Sequence, residues 1–121
     1  MASWSPNPFD DLAHVCGWFI ALSLFDLAFT RRDPARWYIL HAGMNVFITA
    51  TSTADTFRSF ADPIHSMEPT TVSPSGVLRS PHPMRMIAAL HLYHMCAFKC
   101  SAADYFHHLL FVGVLCPFGL T

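Results

Sequence analysis

Two adjacent histidines, His107 and His108, lie inside the apolar stretch ADYFHHLLFVGVL. Asp104 precedes His107 by three residues and His108 by four, so a helix would place the three side chains on one face. A carboxylate one turn from an imidazole can orient the ring and raise its basicity, which suits general acid–base chemistry. His91 and His94 form a second pair at the same kind of spacing. We therefore predict a catalytic set of Asp104, His107 and His108, with His91 and His94 in support.

The same residues also fit a structural role, and the sequence leaves that alternative open. Histidines hydrogen-bond between packed membrane helices without doing any chemistry. Asp104 stands three residues after Ser101, the acidic position of a helix-capping box, although Glu or Gln is more usual there. Asp104 could therefore either orient an imidazole or fix the start of a helix.

The histidine spacing does not indicate a metal centre. Membrane desaturases and hydroxylases carry HxxHH or HxxxH boxes, which this chain lacks, and His14, His65 and His82 are scattered. Cys96 and Cys100 are not at a zinc-ribbon spacing. Phosphate-loop, dinucleotide-binding and nucleophile-elbow motifs are absent. We expect neither a metal nor another cofactor.

The composition indicates that much of the surface does not face water. Of the 121 residues, 53% are hydrophobic and only 12% are charged, whereas soluble domains usually carry about 25% charged residues. Seven Lys and Arg nearly balance eight Asp and Glu without any basic run, which argues against a nucleic-acid partner. The shortage of charged residues favours membrane lipids as the partner.

Four apolar segments predict an all-α fold, a multi-pass transmembrane helical bundle of about four spans. The spans cover about residues 12–30, 36–57, 84–98 and 102–119, after a polar lead at 1–10. The first is close to the length that crosses about 30 Å of hydrocarbon. Residues 58–83 are rich in Pro, Ser and Thr, so we predict an extramembrane loop there. Only residues 99–101 separate the last two spans, which predicts an antiparallel pair with both histidine pairs near one membrane surface.

The second span carries polar residues at steps of four, four, three and three, from His41 through Asn45 to Asp55. At 3.6 residues per turn these lie within an arc of roughly 120°. A polar stripe on an apolar helix should face a bundle interior or a cavity. We therefore predict that the stripe residues bind substrate or support the site. Together with the hairpin residues they would form a shared polar face, made of His41, Asn45, Asp55, His91, His94, Asp104, His107 and His108.

The charges near the span ends bear on orientation. Asp26, inside the first span, is expected either to end a helix at the interface or to pair with Arg31 or Arg32. The basic residues 31–36 form a short loop beside the first span, which favours that side as cytosolic. Asp10 and Asp11 stand where a signal peptide would be basic, so we expect the first span to be retained. The chain stops at an apolar run, as expected if its end lies across the membrane or if a longer protein continues.

Four strings taken together resemble the TLC-domain family, which includes ceramide synthases and translocation-associated membrane proteins. They are HAGMNVFITATSTAD, FADP, HLYHM and DYFHHLLFVGVLCPFG. The resemblance implies an endomembrane protein, in the endoplasmic reticulum or a related compartment, with a role in sphingolipid or acyl-lipid metabolism. It also implies that the family's histidine pair falls on His107 and His108.

The chain departs from the synthases within this family. They have a longer run between the aspartate and the histidine pair and further aspartates after it, whereas nothing acidic follows His108 here. A whole TLC domain also has more than four spans. The chain is thus similar to a small or partial non-synthase member. Two functions remain open at this point, a lipid-modifying enzyme and a non-catalytic protein that binds or senses lipid.

Overall fold

The structure is a computed structural model that describes residues 7–64 and 81–115. Four α-helices account for most of these residues: α1 (Pro8–Phe25), α2 (Arg36–Ala61), α3 (His82–Ala97) and α4 (Ala102–Leu110). A π-helical turn extends α1 over Asp26–Thr30, and another extends α4 over Phe111–Leu115. The described ranges contain no strand, so the all-α prediction is confirmed.

The helix ends differ from the predicted spans for local chemical reasons. α1 begins four residues early because the Asn7 side chain accepts a hydrogen bond from the Phe9 amide and Pro8 occupies the first turn. α2 continues through residues 58–61, which were predicted to be loop. α3 begins at His82 because Pro83 is tolerated in a first turn, where its missing N–H has no helical partner to lose. The rest of the predicted loop, 65–80, lies outside the described residues, as do 1–6 and 116–121.

Helix α3 is the centre of the bundle. Of the eight hydrophobic residues that are buried in the described ranges, α3 supplies five, including Met86, Leu90 and Tyr93. Leu22 from α1 joins them in one cluster, and α2 adds Leu40 and Met44. Because burial of apolar surface is the main stabilising term in such a core, the position of α3 sets the positions of the others.

Ion pairs and ring contacts define how the helices run. Asp11 in the first turn of α1 meets Arg85 in the first turn of α3 at 2.7 Å, so α1 and α3 start at the same end. α2 runs back along α1, and its first residue, Arg36, returns to the end of α3, where Nη2 donates to the Ala97 carbonyl at 3.4 Å. Residues 31–35 and 98–101 therefore lie at one end of the bundle, as the predicted topology requires.

The outer surface is unusually apolar for so small a chain. Among the described residues, nineteen large hydrophobic side chains are exposed, among them Phe29 at 76% and Phe106 at 72%, against six large ones in the core. Among the described helices one segment, Pro8–Thr30, is both long and apolar enough to cross a membrane, with 23 residues and a mean hydropathy of 1.7. By this criterion α2, α3 and α4 do not qualify on their own.

Candidate functional site

The site is built on the hairpin formed by α3 and α4. Ser101 caps α4: its Oγ accepts from the Asp104 amide at 3.1 Å, and the Asp104 carboxylate accepts from the Ser101 amide at 2.8 Å. Both bonds of the capping box are present, which satisfies otherwise unpaired amides of the first turn. The box fixes where α4 begins, and therefore the direction in which His107 and His108 leave it.

Asp104 serves the cap rather than the imidazoles directly. Its Oδ2 also accepts from the Ser101 hydroxyl at 2.7 Å, and the hydrogen bonds of its carboxylate are with Ser101. Its negative charge still acts on His94 and His108 through space. The capping role left open by the sequence is thus the one observed, and Asp104 is a positioning residue for the histidine pair.

The four histidines of the hairpin form one group, the histidine cluster: His91, His94, His107 and His108. Its shortest contact joins His94 Nδ1 to His108 Nε2 at 2.6 Å, across the two helices. The His91 ring lies 4.7 Å from the His108 ring and 5.8 Å from the His107 ring, centroid to centroid. The structure therefore brings together four of the five histidines that the sequence assigned to the site, all but His41.

The cluster members differ in exposure. His107 is exposed, His91 and His94 are half-buried, and His108 is only 5% exposed. His108 Nδ1 is buried without a hydrogen-bond partner among the described residues. Such atoms are rare in folded proteins, so His108 stands out within the cluster, whereas His107 is the member that a substrate can reach.

Aromatic rings hold the cluster from both sides. Trp37, at the start of α2, stacks on His94 with centroids 3.8 Å apart and planes 16° from parallel. Phe111, after α4, stacks on His91 at 5.0 Å and 8°. The sequence did not single out Trp37. Its contact with His94 joins residues far apart in the chain, and no spacing signals it.

The predicted stripe on α2 contributes little to this site. Asn45 is exposed and donates to His41 on its own helix at 3.0 Å, while Leu40 and Met44 face the core. The expectation that the stripe faces the interior is therefore wrong for Asn45. His41 approaches the cluster through Trp37, whose ring centroid is 5.1 Å away.

Asp55 is separate from the cluster. It lies fourteen residues beyond His41 on α2, about 21 Å at 1.5 Å per residue. Its carboxylate accepts from Arg58 at 3.1 Å within the same helix. The structure thus places Asp55 in a local ion pair and not in the predicted shared polar face.

Asp26 is the polar residue whose role the sequence missed. It is fully buried and accepts from Arg36 Nε at 2.6 Å, from Tyr93 Oη at 2.5 Å and from Thr30 Oγ1 at 2.8 Å. Its partner is thus Arg36, not Arg31 or Arg32 as expected. The ten-residue separation matches no helical period, so no sequence signal could have identified the pair. Because Tyr93 precedes His94, this network anchors the end of α3 that carries the cluster.

Two sets of side chains in the hairpin could hold a metal ion. His91, His107 and His108 each offer a ligand atom within 4.8 Å of the others, and His94, Cys100 and His108 do the same. A search for histidine motifs within one helix would not reveal either set, because each set combines residues that precede and follow the turn between α3 and α4.

An apolar groove lies beside the core, between α1 and α2. It encloses about 300 Å³ and is lined mainly by Trp18, Leu22, Phe25, Leu40 and Phe47. The groove and the cluster together offer an apolar surface and a reactive imidazole group in one small bundle. Comparisons of this chain with protein-family models, curated proteins and solved structures give no match.

Proposed function

We propose that this chain is a multi-pass integral membrane protein of the TLC type that acts on membrane lipids, with His107 as its reactive imidazole. One observation carries the proposal. The exposed His107 adjoins the buried His108, which is held by a 2.6 Å contact with His94. A reactive group set on a rigid support is what general acid–base catalysis needs.

The surface composition supports a position in the membrane. Large exposed residues such as Leu27, Phe47 and Phe106 surround the bundle, and apolar patches of this extent normally face lipid or another protein. Segment Pro8–Thr30 crosses the membrane in this proposal, and α2, α3 and α4 cross or enter it as neighbours. An endomembrane, such as the endoplasmic reticulum, is the proposed location.

The proposed reaction is acyl transfer to, or hydrolysis at, a lipid. His107 takes the proton from the hydroxyl, amine or water that attacks the acyl carbonyl carbon of the lipid. The bond from that carbon to the leaving group then breaks, and His107 returns the proton to the leaving group. His108 with His94 keeps α4 against α3. Ser101 and Asp104 position the pair through the cap. The groove beside Trp18 and Phe47 accommodates a hydrocarbon chain, because its lining is apolar.

The test replaces His107 in cells that depend on the protein. We expect His107→Ala to change the lipid profile as a full deletion does, because losing a general base typically costs about 10²- to 10⁴-fold in rate. His14→Ala is the matched control, since His14 is also an exposed histidine on a helix but lies outside the cluster. An unchanged lipid profile in His107→Ala, at wild-type abundance, would contradict the catalytic role.

A second candidate function is lipid binding or sensing without catalysis. The observation in its favour is that the His94–His108 contact joins two helices, as a purely structural hydrogen bond would. On this alternative His108→Ala lowers the amount of protein in the membrane, and His107→Ala changes nothing. Quantifying both variants in membrane fractions and in lipid profiles separates the two functions.

A further inference from the structure

We propose that the histidine cluster binds a divalent first-row transition metal ion, Zn²⁺ foremost, through His91, His107 and His108, with His94 orienting the buried ligand. The expectation from the sequence was that no metal binds. The proposal goes beyond the lipid reaction and does not depend on it: when His107 ligates the ion, its lone pair is occupied and it is not free to act as the general base.

The distances suit such an ion. The three ligand atoms already lie within 4.8 Å of one another. Around a tetrahedral zinc ion with Zn–N bonds of about 2.0–2.1 Å, the nitrogens stand about 3.3 Å apart. The ligand atoms are therefore already near the spacing of a bound site, and ion binding would draw them closer together.

His91 has the hydrogen bond that metal-binding histidines usually have. Its Nδ1 lies 2.8 Å from the Ile87 carbonyl oxygen. A carbonyl only accepts, so Nδ1 carries the proton and Nε2 keeps its lone pair. Ligating histidines almost always donate their other ring N–H in this way, which sets the tautomer and the ring orientation.

His108 provides an independent indication. Its Nε2 is engaged by His94 at 2.6 Å, while its Nδ1 is buried and has no partner among the described residues. When Nε2–H donates to His94 Nδ1, the Nδ1 lone pair of His108 is free. A metal ion bound to Nδ1 accounts for this buried acceptor, which lies beside two further imidazoles. His94 then orients His108 through the hydrogen bond to its other ring nitrogen.

The third ligand, His107, determines whether solvent and substrate can reach the ion. His107 is exposed, so an ion held by three imidazoles at this position keeps an open fourth site for water or substrate, as catalytic zinc sites do. Imidazole ligands suit Zn²⁺, Cu²⁺, Fe²⁺ and Ni²⁺, whereas Mg²⁺ and Ca²⁺ prefer oxygen. The negative charge of Asp104 acts on two cluster members, which favours a cation.

The set that includes Cys100 is less suitable. The Cys100 thiol donates to the His94 carbonyl oxygen at 3.6 Å, and this set would make His94 a ligand although its Nδ1 already engages His108 Nε2. We therefore assign the ligands to His91, His107 and His108, and assign Cys100 no role in binding.

The experiment uses the whole chain, purified in detergent micelles and stripped of metal, without any lipid substrate. Titration with Co²⁺ is expected to produce visible absorption bands at one equivalent, which Zn²⁺ then abolishes by displacement. His94→Ala should weaken Co²⁺ binding about 10- to 100-fold, the usual effect of losing an outer partner. His91→Ala and His107→Ala should weaken it further, whereas His14→Ala and Cys100→Ser should bind as the wild type does.

The outcome does not depend on whether the buried variants fold. His107 is exposed, so His107→Ala should retain wild-type helicity by circular dichroism and still lose the ion. A wild-type protein that takes up no Co²⁺ or Zn²⁺ would overturn the proposal, as would undiminished binding by folded His107→Ala. Because no lipid is present, neither result bears on whether the protein turns over lipid.

Discussion

Asp26 is a fully buried carboxylate at the end of a mainly apolar helix. Arg36, Tyr93 and Thr30 all donate to it, and these bonds compensate for the water that the carboxylate has lost. The guanidinium of Arg36 also lies over the Phe98 ring, 4.1 Å from its centroid. Hydrogen bonds to this one carboxylate therefore join the end of α1 to α2 and α3, close to the histidine cluster.

Removing the Asp26 carboxylate should leave the partly buried Arg36 without its counter-charge. We expect Asp26→Ala to lower the free energy of unfolding by about 3–5 kcal/mol, the usual cost of breaking one side of a buried pair. Thermal unfolding in micelles, followed by circular dichroism, measures the change. Asp10→Ala is the control, because Asp10 is exposed. Equal stabilities for the two variants would show that the network contributes nothing.

At the scale of single elements, α4 depends on its first turn more than the other helices do. It has nine α-helical residues, and helices this short are marginal unless they are capped and packed. The Ser101 cap and the His94–His108 contact supply both kinds of support. Loss of the cap should therefore also disturb the histidine cluster, although the side-chain hydrogen bonds of Ser101 are with Asp104.

Replacing Ser101 tests this dependence. We expect Ser101→Ala to destabilise the protein by about 1 kcal/mol, because a first-turn amide loses its partner. The amides of α4 should exchange faster with solvent than those of α3, as measured by hydrogen exchange with mass spectrometry. Ser59→Ala is the matched control, since the Ser59 hydroxyl only donates back to the Asp55 carbonyl within α2. Uniform exchange in both variants would argue against a special role for the cap.

At the scale of the whole molecule, the bundle has two distinct ends. Arg36 reaches the Ala97 carbonyl at one end, and Asp11 pairs with Arg85 at the other. If the bundle spans a membrane as proposed, residues 31–35 and 99–101 share one side, and residues 62–64 lie on the opposite side. The basic residues of the first connection favour the cytosolic side for that end.

Cysteine labelling tests this arrangement directly. In a chain with its native cysteines replaced, single cysteines at Ala35 and Lys99 should react with a membrane-impermeant maleimide from the cytosolic side. One at Ile64 should react only from the other side, because a charged reagent does not cross the hydrocarbon. Reaction of all three from one side of sealed vesicles would contradict the four-span topology. Permeabilised vesicles, in which all three should react, provide the control.

The sequence by itself determined the helical fold and the hairpin that carries the histidines. The Ser101–Asp104 spacing, the short turn at 99–101 and the helical spacing of His91 and His94 are local features. Local features act within a few residues, so a single sequence can reveal them. The same information placed His107 and His108 beside the other histidine pair, and the structure agrees.

Only the tertiary structure decided which of these residues work together. The burial of His108 and its contact with His94 depend on how α3 and α4 pack, and the stacking of Trp37 on His94 depends on where α2 crosses α3. The pairing of Asp26 with Arg36 in place of Arg31 follows from the same packing. Such contacts arise from the angles between helices and from side-chain torsions, which periodicity along the chain does not encode.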